Sequence, residues 1–517
     1  MVAAVVAVGV ALRLAVMLGP LGRPDSDEMI AGLMARHLNA GEGFPAYFAG
    51  QHYGGTIELA PVAVSIRLFG TSVAALRAPT VLLAVLNALL VWRIGRRIVA
   101  EGPARVAGLL AWVWPPAAVW FGGREMLFYA PTVTLGLVVV LLALRLVSAG
   151  PGGARGPEWL GWAGLGLAVG VGWWTSPNIV YFVVPAVVVL VTPPGRTRRI
   201  EWPPWRLVLV GVAAAGVGAL PWLVTNIGSG LPSLHDSEGF PATGTYLTRV
   251  GWFFTDGLPA ELGLREIGTL QWIGGGLGVV AYLVAVGFLL VALRRSLETG
   301  QRRPTAPVDA VAVICFPLLM AFVPFAMAQS NLRYLFFLAP FLCLLAARLV
   351  GGRRTAIGLL TVAVIVTGLG FVRLQSVSEA SDSAFKVGAV GELSPAIGAL
   401  DAEHIDAVYA DYWVAYRLAF ESAERVRAVP SAGTHRMPGY LAFVEASSDV
   451  AWVVAAGSSQ LTALTAALDG LGVEWRVVDA GDFVVVLTDR PVTPHELPNE
   501  ARAPAGVEMA PPPGQSY

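Results

Sequence analysis

Long runs of apolar residues alternate with short polar segments through the first 373 residues of this 517-residue chain. A helix needs about 20 apolar residues to cross the hydrocarbon core of a bilayer, and about eleven runs approach that length. The pattern therefore predicts a mostly α-helical, polytopic membrane bundle. The predicted spans are 2–20, 74–94, 104–122, 126–147, 159–176, 178–193, 206–226, 269–293, 308–328, 332–350 and 354–372.

The patterning changes after residue 373, where shorter apolar segments are separated by polar and turn-forming residues. Short β-branched and aromatic runs bounded by such residues predict strands. Residues 374–490 are therefore predicted to form a small α/β domain after a membrane domain over 1–373. Its expected strands are 407–410, 450–455, 475–478 and 483–487, with a helix over 460–471. The proline-rich segment 491–517 is expected to be a disordered tail.

Composition and charge agree with this division. Hydrophobic residues make up 56% of the chain, charged residues 14%, and the mean hydropathy is +0.66; a soluble domain carries about 25% charged residues. Residues 1–373 contain 27 Arg and 16 acidic residues, whereas residues 374–517 contain 8 basic and 19 acidic residues. Such a sharp change in charge marks a predicted domain boundary.

The distribution of arginine predicts the orientation of the bundle. Alternate predicted loops carry 17 Arg, and the opposite, longer loops carry nine. The positive-inside rule places the first set in the cytoplasm. Loops 21–73 and 227–268 and the C-terminal domain are then extracytoplasmic. The first apolar run lacks a basic start and an A-x-A cleavage site, so an uncleaved helix is expected.

Acidic residues follow the first predicted span directly. Residues 29–38 have an apolar stripe at helical spacing, so Asp27 and Glu28 lie in the first turn of a predicted helix, where acids suit the helix dipole. Asp25 is the expected N-cap. Residues 56–69 predict a second amphipathic helix. Both helices are expected to lie on the membrane surface above a cavity between the spans.

Several short motifs occur in an order found in one superfamily. They are Asp27-Glu28, Tyr53-Gly54-Gly55-Thr56-Ile57-Glu58, Leu68-Phe69-Gly70-Thr71-Ser72, Leu76-Arg77-Ala78-Pro79 and Arg333-Tyr334-Leu335. Over roughly residues 1–370 the chain resembles the GT-C glycosyltransferases related to protein O-mannosyltransferases and the lipid A aminoarabinose transferase (glycosyltransferase family 39). The C-terminal domain departs from the best-known members.

The resemblance implies an integral membrane glycosyltransferase. It would move a hexose or pentose from a polyprenyl-phosphate donor to an acceptor hydroxyl on the outer face of the cell membrane. The expected partners are that donor, an unidentified glycan, lipid or protein acceptor, and the lipid bilayer, with no nucleic acid. A transporter or flippase of an envelope component and a non-catalytic scaffold are the alternatives. Transporters usually carry charges inside their spans, whereas here the polar residues cluster in outward loops.

Such a reaction needs a base that deprotonates the acceptor. Asp27 is the expected catalytic base, because burial in a partly dry cavity raises the pKa of a carboxyl group. One alternative is that Asp27 is a first-turn acid without a chemical role. Asp25, the expected N-cap, is the competing candidate for the base. Glu28 either binds substrate or stabilises the start of the helix.

The segment before the second predicted helix supplies further candidates for substrate binding. Glu58 follows Gly54-Gly55, where the backbone can approach a ligand closely. It is a candidate ligand of the donor or the acceptor. His52 and Tyr53 can hydrogen-bond to a sugar or stack on it, although aromatic residues are common at membrane interfaces anyway.

Arginines near the outer surface are candidates for binding the donor phosphate. Arg124 meets the phosphate while Glu125 contacts the sugar, or the two neutralise each other. The planar fork of Arg333 suits a phosphate; the alternative is that it reaches lipid headgroups. Arg13, inside the first span, pairs with a carboxylate or the phosphate, or stabilises packing.

No cofactor is expected. The six His residues are scattered, and although Asp25-Ser26-Asp27 has the D-x-D form that can hold a divalent metal, so short a pattern often arises by chance. Cys315 and Cys343 are expected to be buried free thiols. Loop 227–268, rich in Gly and Pro, is expected to be a mobile lid.

Overall fold

The structure is a computed structural model that describes residues 1–18, 21, 24–149, 157–191, 202–235, 244–267, 269–302, 335–380 and 391–503. It is mostly helical with one small β-sheet, as predicted. The chain divides into two compact units. The first comprises Met1–Leu21, Tyr53–Ile57 and Thr80–Val377, and the second comprises Gly22–His52, Glu58–Pro79 and Ser378–Tyr517. The sequence predicted a single boundary after residue 373, whereas the second unit also includes most of the first long loop.

The α-helices of the described residues are, in chain order, α1 (Val2–Leu18), α2 (Ser26–Asn39), α3 (Leu59–Phe69), α4 (Val73–Ile98), α5 (Glu101–Val113), α6 (Pro116–Phe121), α7 (Tyr129–Ala149), α8 (Glu158–Thr175), α9 (Val180–Val191), α10 (Trp205–Gly218), α11 (Leu220–Asn226), α12 (Pro232–His235), α13 (Tyr246–Trp252), α14 (Leu258–Glu261), α15 (Gly276–Arg302), α16 (Ala339–Ala346), α17 (Arg353–Ala380), α18 (Ser394–Ala402), α19 (Tyr412–Glu421), α20 (Pro438–Ala446), α21 (Ser459–Gly470) and α22 (Asn499–Arg502). Short 3-10 turns lie at Pro177–Ile179, Phe336–Leu338, Ala347–Leu349 and Pro494–Glu496, and a π-helical turn at Phe253–Gly257.

Four of the described helices are long and apolar enough to cross a membrane, namely α4, α7, α15 and α17. Helices α10 and α11 would add a fifth span if counted as one, although they are bent by 64°. The predicted span 104–122 is two helices, α5 and α6, because Pro115 and Pro116 lack the N–H groups that a continuous helix needs. The predicted span 308–328 lies outside the described residues.

Small residues allow close helix packing in the first unit. A Cβ atom at Gly166 or Gly170 of α8 would overlap the backbone of α10, at Gly211 and Ala215. Close approach over small residues four positions apart is a common way for membrane helices to associate. The glycine-rich sequence of α8 therefore serves helix pairing rather than flexibility.

The sheet of the second unit contains β1 (Ala407–Ala410), β2 (Arg427–Pro430), β3 (Val450–Ala455), β4 (Trp475–Ala480) and β5 (Phe483–Thr488), in the order β2-β1-β3-β5-β4. Strands β2, β1 and β3 are parallel, and β5 is antiparallel to both β3 and β4. Four of the strands and the helix α21 confirm the predictions. The short strand β2 was missed.

Helix α2 is more deeply buried than its sequence predicted. An apolar stripe at helical spacing predicts one buried face, whereas all seven residues from Met29 to Ala35 are buried. The reason is that α3 and α19 both pack against α2 within the second unit. The fit with α19 is tight, because a Cβ atom at Gly32 would overlap the Phe420 ring.

Two segments expected to lack regular structure contain helical turns. Within loop 227–268 the described residues form α12, α13, the π-helical turn and α14, and Glu261 is buried. Residues 491–503, expected to belong to the disordered tail, bury Leu497 and Ala501, and the Gln460 side chain donates a hydrogen bond to the Ala501 carbonyl. These apolar residues pack on the α/β fold, so the packed region extends past the predicted limit of residue 490. Residues 504–517 lie outside the described part.

Candidate catalytic site

Asp27 lies in the first turn of α2, as predicted, and its carboxylate is held by a tyrosine. Asp25 is the N-cap, since its Oδ1 accepts a hydrogen bond of 3.0 Å from the Glu28 backbone N–H. The Tyr412 hydroxyl donates a 2.6 Å hydrogen bond to Oδ1 of Asp27. The side chain of Asp27 is half-buried. The site therefore presents a half-buried carboxylate whose Oδ1 accepts a hydrogen bond from a phenol.

Tyr412 is itself surrounded by polar partners. Arg436 Nε donates to the Tyr412 phenol oxygen at 3.4 Å, and Arg436 Nη1 donates to the Gly50 carbonyl at 3.3 Å. The backbone N–H of Arg436 donates to the Tyr416 hydroxyl at 2.6 Å. Burial, followed by the charge of Asp27, raises the pKa of Tyr412 well above its ordinary value. The phenol therefore stays protonated and remains a hydrogen-bond donor to Asp27.

Glu28, the neighbour of Asp27, forms a buried ion pair. Nε of Arg77 contacts Oε1 and Nη2 contacts Oε2, both at 2.5 Å. The two residues are 2% and 0% exposed. Two parallel contacts of this kind match the guanidinium fork to a carboxylate. This arrangement favours the alternative in which Glu28 stabilises the start of the helix.

The other candidates of the first loop lie in different surroundings. Glu58 is the N-cap residue of α3 and is buried, whereas His52 is exposed. Tyr53, in the first unit, is half-buried.

The glycine pair after Tyr53 was expected to admit a ligand, but it closes on the protein itself. Gly55 N–H donates to the Thr175 carbonyl at 2.9 Å, and a Cβ atom there would overlap the Trp174 backbone. Gly54 takes the left-handed φ of 76° that this approach requires. The glycines are therefore explained by packing against the end of α8.

Arg124 and Glu125 lie between α6 and α7 in the first unit, and both are buried. The Arg124 guanidinium lies 4.8 Å from the centroid of the Trp120 ring. Glu125 accepts hydrogen bonds from the Thr80 hydroxyl at 2.6 Å and from the Leu127 N–H at 2.8 Å. These contacts give Glu125 a defined orientation in this short turn.

Arg13 of α1 is buried against Trp112. Its Nη1 donates to the Trp112 carbonyl at 2.6 Å, and its guanidinium lies 3.7 Å from the centroid of the Trp112 ring. This supports the packing alternative for Arg13. Arg333 lies outside the described residues, so its role remains a prediction.

Within the described ranges, no three His, Cys, Asp or Glu residues are grouped as a metal site would require. In the D-x-D pattern, Asp25 caps α2 and Asp27 accepts from Tyr412. Cys343 is a buried free thiol, as predicted, and Cys315 lies outside the described residues.

Comparison with known proteins places this fold. Residues 61–224 match a family model described as dolichyl-phosphate-mannose-protein mannosyltransferase. The crystal structure of ArnT from Cupriavidus metallidurans in the apo state aligns with a TM-score of 0.59 and 15% identity, covering 94% of this chain and 97% of that chain. The structure of that protein bound to undecaprenyl phosphate aligns over the same shares with a TM-score of 0.50 and 15% identity. A search of curated protein sequences finds no significant match.

The resemblance to GT-C glycosyltransferases that the motifs suggested is thereby confirmed. The chain is a membrane protein with a GT-C-type fold, and part of it matches a mannosyltransferase family model.

Tyr412 and Arg436 are the site residues that sequence reasoning missed. They lie 385 and 409 positions after Asp27 in the chain, and no local spacing connects residues so far apart. One signal was available: Asp411-Tyr412-Trp413 directly follows the buried strand β1. Polar and aromatic residues just after a parallel strand often belong to binding sites in α/β folds.

Proposed function

We propose that this protein is a glycosyltransferase that moves a sugar from a polyprenyl-phosphate donor to an acceptor hydroxyl at the outer face of the cell membrane. The ArnT-like fold and the mannosyltransferase family match support the class of reaction. The bound undecaprenyl phosphate of one ArnT structure supports the class of donor.

In the proposed reaction the Asp27 carboxylate takes the proton of the acceptor hydroxyl. The acceptor oxygen attacks the anomeric carbon, and a new glycosidic C–O bond forms there. The bond from that carbon to the phosphate oxygen breaks, and polyprenyl phosphate leaves with the electron pair. The proton passes from Asp27 to solvent afterwards. Positioned general bases of this kind contribute about 10²–10⁴-fold to a rate.

The departing phosphate gains a negative charge and needs a cation. Arg333 and Arg124 are the proposed partners of the phosphate, because a guanidinium can contact two phosphate oxygens at once. Glu58, Glu125, His52 and Tyr53 are proposed to contact the sugar or the acceptor. Glu28 is proposed to support the site through its ion pair with Arg77. No metal is assigned a step.

The placement of Asp27 carries this proposal. It is a half-buried carboxylate just after the first apolar helix of a GT-C-type fold, and its Oδ1 accepts a hydrogen bond of 2.6 Å from the Tyr412 hydroxyl. The hydrogen bond from the buried phenol orients this carboxylate in addition to the effect of the helix dipole. Orientation by a second side chain is typical of a general base.

The test compares envelope glycans and lipids, by mass, in cells with and without this protein. We expect one envelope component to lose a hexose or pentose in the deletion strain. Wild-type protein and Asp25→Asn should restore it, since Asn also caps a helix, whereas Asp27→Asn should not. A full product in the Asp27→Asn strain, with equal protein levels, would contradict the assignment of the base.

The same experiment separates the two alternatives. If the protein is a transporter or flippase, the deletion strain should lose an entire component from the outer face rather than one sugar. The Asp27→Asn protein should then restore that component. If the protein is a scaffold, no single envelope component should change in mass in the deletion strain.

A further inference from the structure

We propose that Tyr412 is a positioning residue for the Asp27 base, so that the C-terminal α/β fold is part of the catalytic unit. This inference rests on the proposed function. It assigns a role to the part of the chain that departs from the best-known members of the superfamily.

The hydrogen bond from Tyr412 restrains the orientation of the Asp27 carboxylate. With Oδ1 accepting from the phenol at 2.6 Å, the carboxylate is held in one orientation toward an acceptor. A terminal carboxylate torsion is broad when nothing holds it. A fixed donor on Oδ1 therefore restricts the rotation of the whole carboxylate. Proton transfer over hydrogen-bonding distance requires such a restricted orientation.

The Tyr412 side chain is held in place by the packing of α19 on α2. The Ser26 hydroxyl, next to Asp27, donates to the Tyr412 carbonyl at 2.5 Å. Further along the same helix pair, Gly32 gives Phe420 room to lie against α2. The start of α19 is therefore fixed to the start of α2 at the position of the base.

Arg436 also contacts the phenol oxygen of Tyr412. Its Nε donates to the phenol oxygen at 3.4 Å, while its Nη1 donates to the Gly50 carbonyl at 3.3 Å. Gly50 has a φ of 70°, and a Cβ atom there would lie 3.1 Å from Cα of Arg436. Arg436 thus connects the first loop, Tyr412 and the C-terminal fold.

The hydrogen bond also affects when Asp27 is charged. A donor that bonds a carboxylate favours its ionised form. Removal of the Tyr412 hydroxyl should therefore let Asp27 take up a proton at higher pH. The acid limb of the rate profile should then move to higher pH, a change that a purely structural role does not predict.

The chain offers a matched control for this substitution. The Tyr440 hydroxyl donates to Glu424 Oε1 at 2.6 Å, the same distance as between Tyr412 and Asp27, and it also lies in the second unit. Tyr440→Phe removes a phenol from a carboxylate that has no proposed part in catalysis. Loss of stability common to both variants is therefore measured separately from loss of catalysis.

The assay uses full-length protein in liposomes, a polyprenyl-phosphate lipid extract of wild-type cells as donor, and deletion-strain membranes as acceptor. We expect Tyr412→Phe to lower turnover by about 10- to 100-fold, the scale expected of a misplaced catalytic group, with little change in the KM for donor. Its acid limb should move to higher pH. Tyr440→Phe should keep wild-type turnover and the wild-type pH profile.

A double-variant cycle tests whether Tyr412 acts through Asp27. Adding Tyr412→Phe to Asp27→Asn should lower the residual rate by less than twofold, because residues that share one function are not additive. If the two substitutions instead lowered the rate independently, so that the double variant lost the product of the two single-variant factors, the inference would be overturned. Wild-type turnover and an unshifted pH profile in Tyr412→Phe would also overturn it.

Failure of the proposed function has a different signature. If deletion changes no envelope component, both proposals fail. If deletion removes a sugar but Asp27→Asn is fully active, the glycosyltransferase reaction stands, and the assignment of the base and the role of Tyr412 are both wrong. If Asp27→Asn is inactive while Tyr412→Phe and Tyr440→Phe behave alike, the proposed function stands and the role of Tyr412 is wrong.

Discussion

Arg77 holds Glu28 in a buried, two-contact ion pair, with Nε–Oε1 and Nη2–Oε2 distances of 2.5 Å. The pair joins the start of α4 to the first turn of α2, one residue from Asp27. Desolvation makes such a pair a weak source of net stability, but the loss of one partner removes the charge that the other faces in its buried site.

Glu28→Gln should therefore destabilise the protein strongly, by about 3–5 kcal/mol, because it leaves the Arg77 charge buried. Thermal unfolding of detergent-solubilised protein measures this. Glu42→Gln, at an exposed carboxylate, is the control and should change stability by less than about 0.5 kcal/mol. If Glu28→Gln instead kept the wild-type unfolding temperature and lost only activity, Glu28 would be a substrate ligand.

Gly32→Ala should disturb the contact between α2 and α19, because its methyl group would overlap the Phe420 ring. Forced overpacking costs about 1–3 kcal/mol. The matched control is Gly398→Ala in α18, where nothing lies within 4 Å of the added Cβ; there, alanine's better helix propensity should be neutral or stabilising. Phe420→Leu should partly rescue Gly32→Ala. Equal unfolding temperatures for both glycine variants would contradict the tight packing.

Stability of the second unit should depend on pH through His37 and Glu424. His37 Nε2 contacts Glu424 Oε1 at 2.7 Å, and this hydrogen bond raises the pKa of His37 above its ordinary value of 6.5. Burial would raise the pKa of Glu424, but hydrogen bonds from His37, Tyr440 and Arg36 lower it to about 2. The contribution of His37 is complete below pH 6.5 and is lost as pH rises through its raised pKa. That of Glu424 is complete above about pH 4.5 and is lost as pH falls from there through about 2.

His37→Gln should accordingly lower the unfolding temperature most below pH 6.5, and its difference from wild type should narrow as the pH rises towards 9. Full-length protein, scanned in matched buffers of constant ionic strength, supplies the measurement. His495→Gln, at an exposed histidine of the same unit, is the control. Its unfolding temperature should differ from that of wild type by the same amount at every pH. If the difference in unfolding temperature between His37→Gln and wild type did not change with pH, the imidazole would be neutral in the folded protein.

Arg333→Lys tests whether this residue binds the donor phosphate. A phosphate ligand loses its paired N–H geometry in the lysine variant, so undecaprenyl phosphate should bind more weakly. Arg333→Ala should cost more, about 2–5 kcal/mol for a desolvated charge pair. An arginine that only reaches lipid headgroups would be replaced by lysine without loss. Arg67→Lys, on the exposed side of α3, is the control.

Membrane orientation can be tested by labelling single cysteines from outside intact cells. In a background with Cys315→Ser and Cys343→Ala, we expect Phe240→Cys and Ser448→Cys to react with an impermeant reagent and Arg198→Cys to stay protected. The physical reason is the excess of arginine in the loops that include residue 198. Labelling at 198 without labelling at 240 would reverse the proposed topology.

The sequence by itself determined the class of protein and most of its local structure. Apolar runs of membrane-spanning length need no tertiary context to be recognised, and neither do short alternating strands such as β3 and β5. The cap at Asp25 is equally local, because its acceptor oxygen and the Glu28 N–H are three residues apart. Continuous helices were harder to predict, as α5 and α6 show, because a Pro-Pro step ends a helix inside an apolar run.

Tertiary structure alone decided what the candidate side chains contact. Glu28 meets Arg77 after 49 residues, and Asp27 meets Tyr412 after 385. The local sequence around a first-turn carboxylate does not reveal whether that carboxylate faces water, an arginine or a phenol. Only the packing around α2, which brings Arg77 of α4 to Glu28 and Tyr412 of α19 to Asp27, selects among these, since burial makes an unpaired charge too costly. The sequence therefore predicted where a base could lie, and the fold determined which residue orients it.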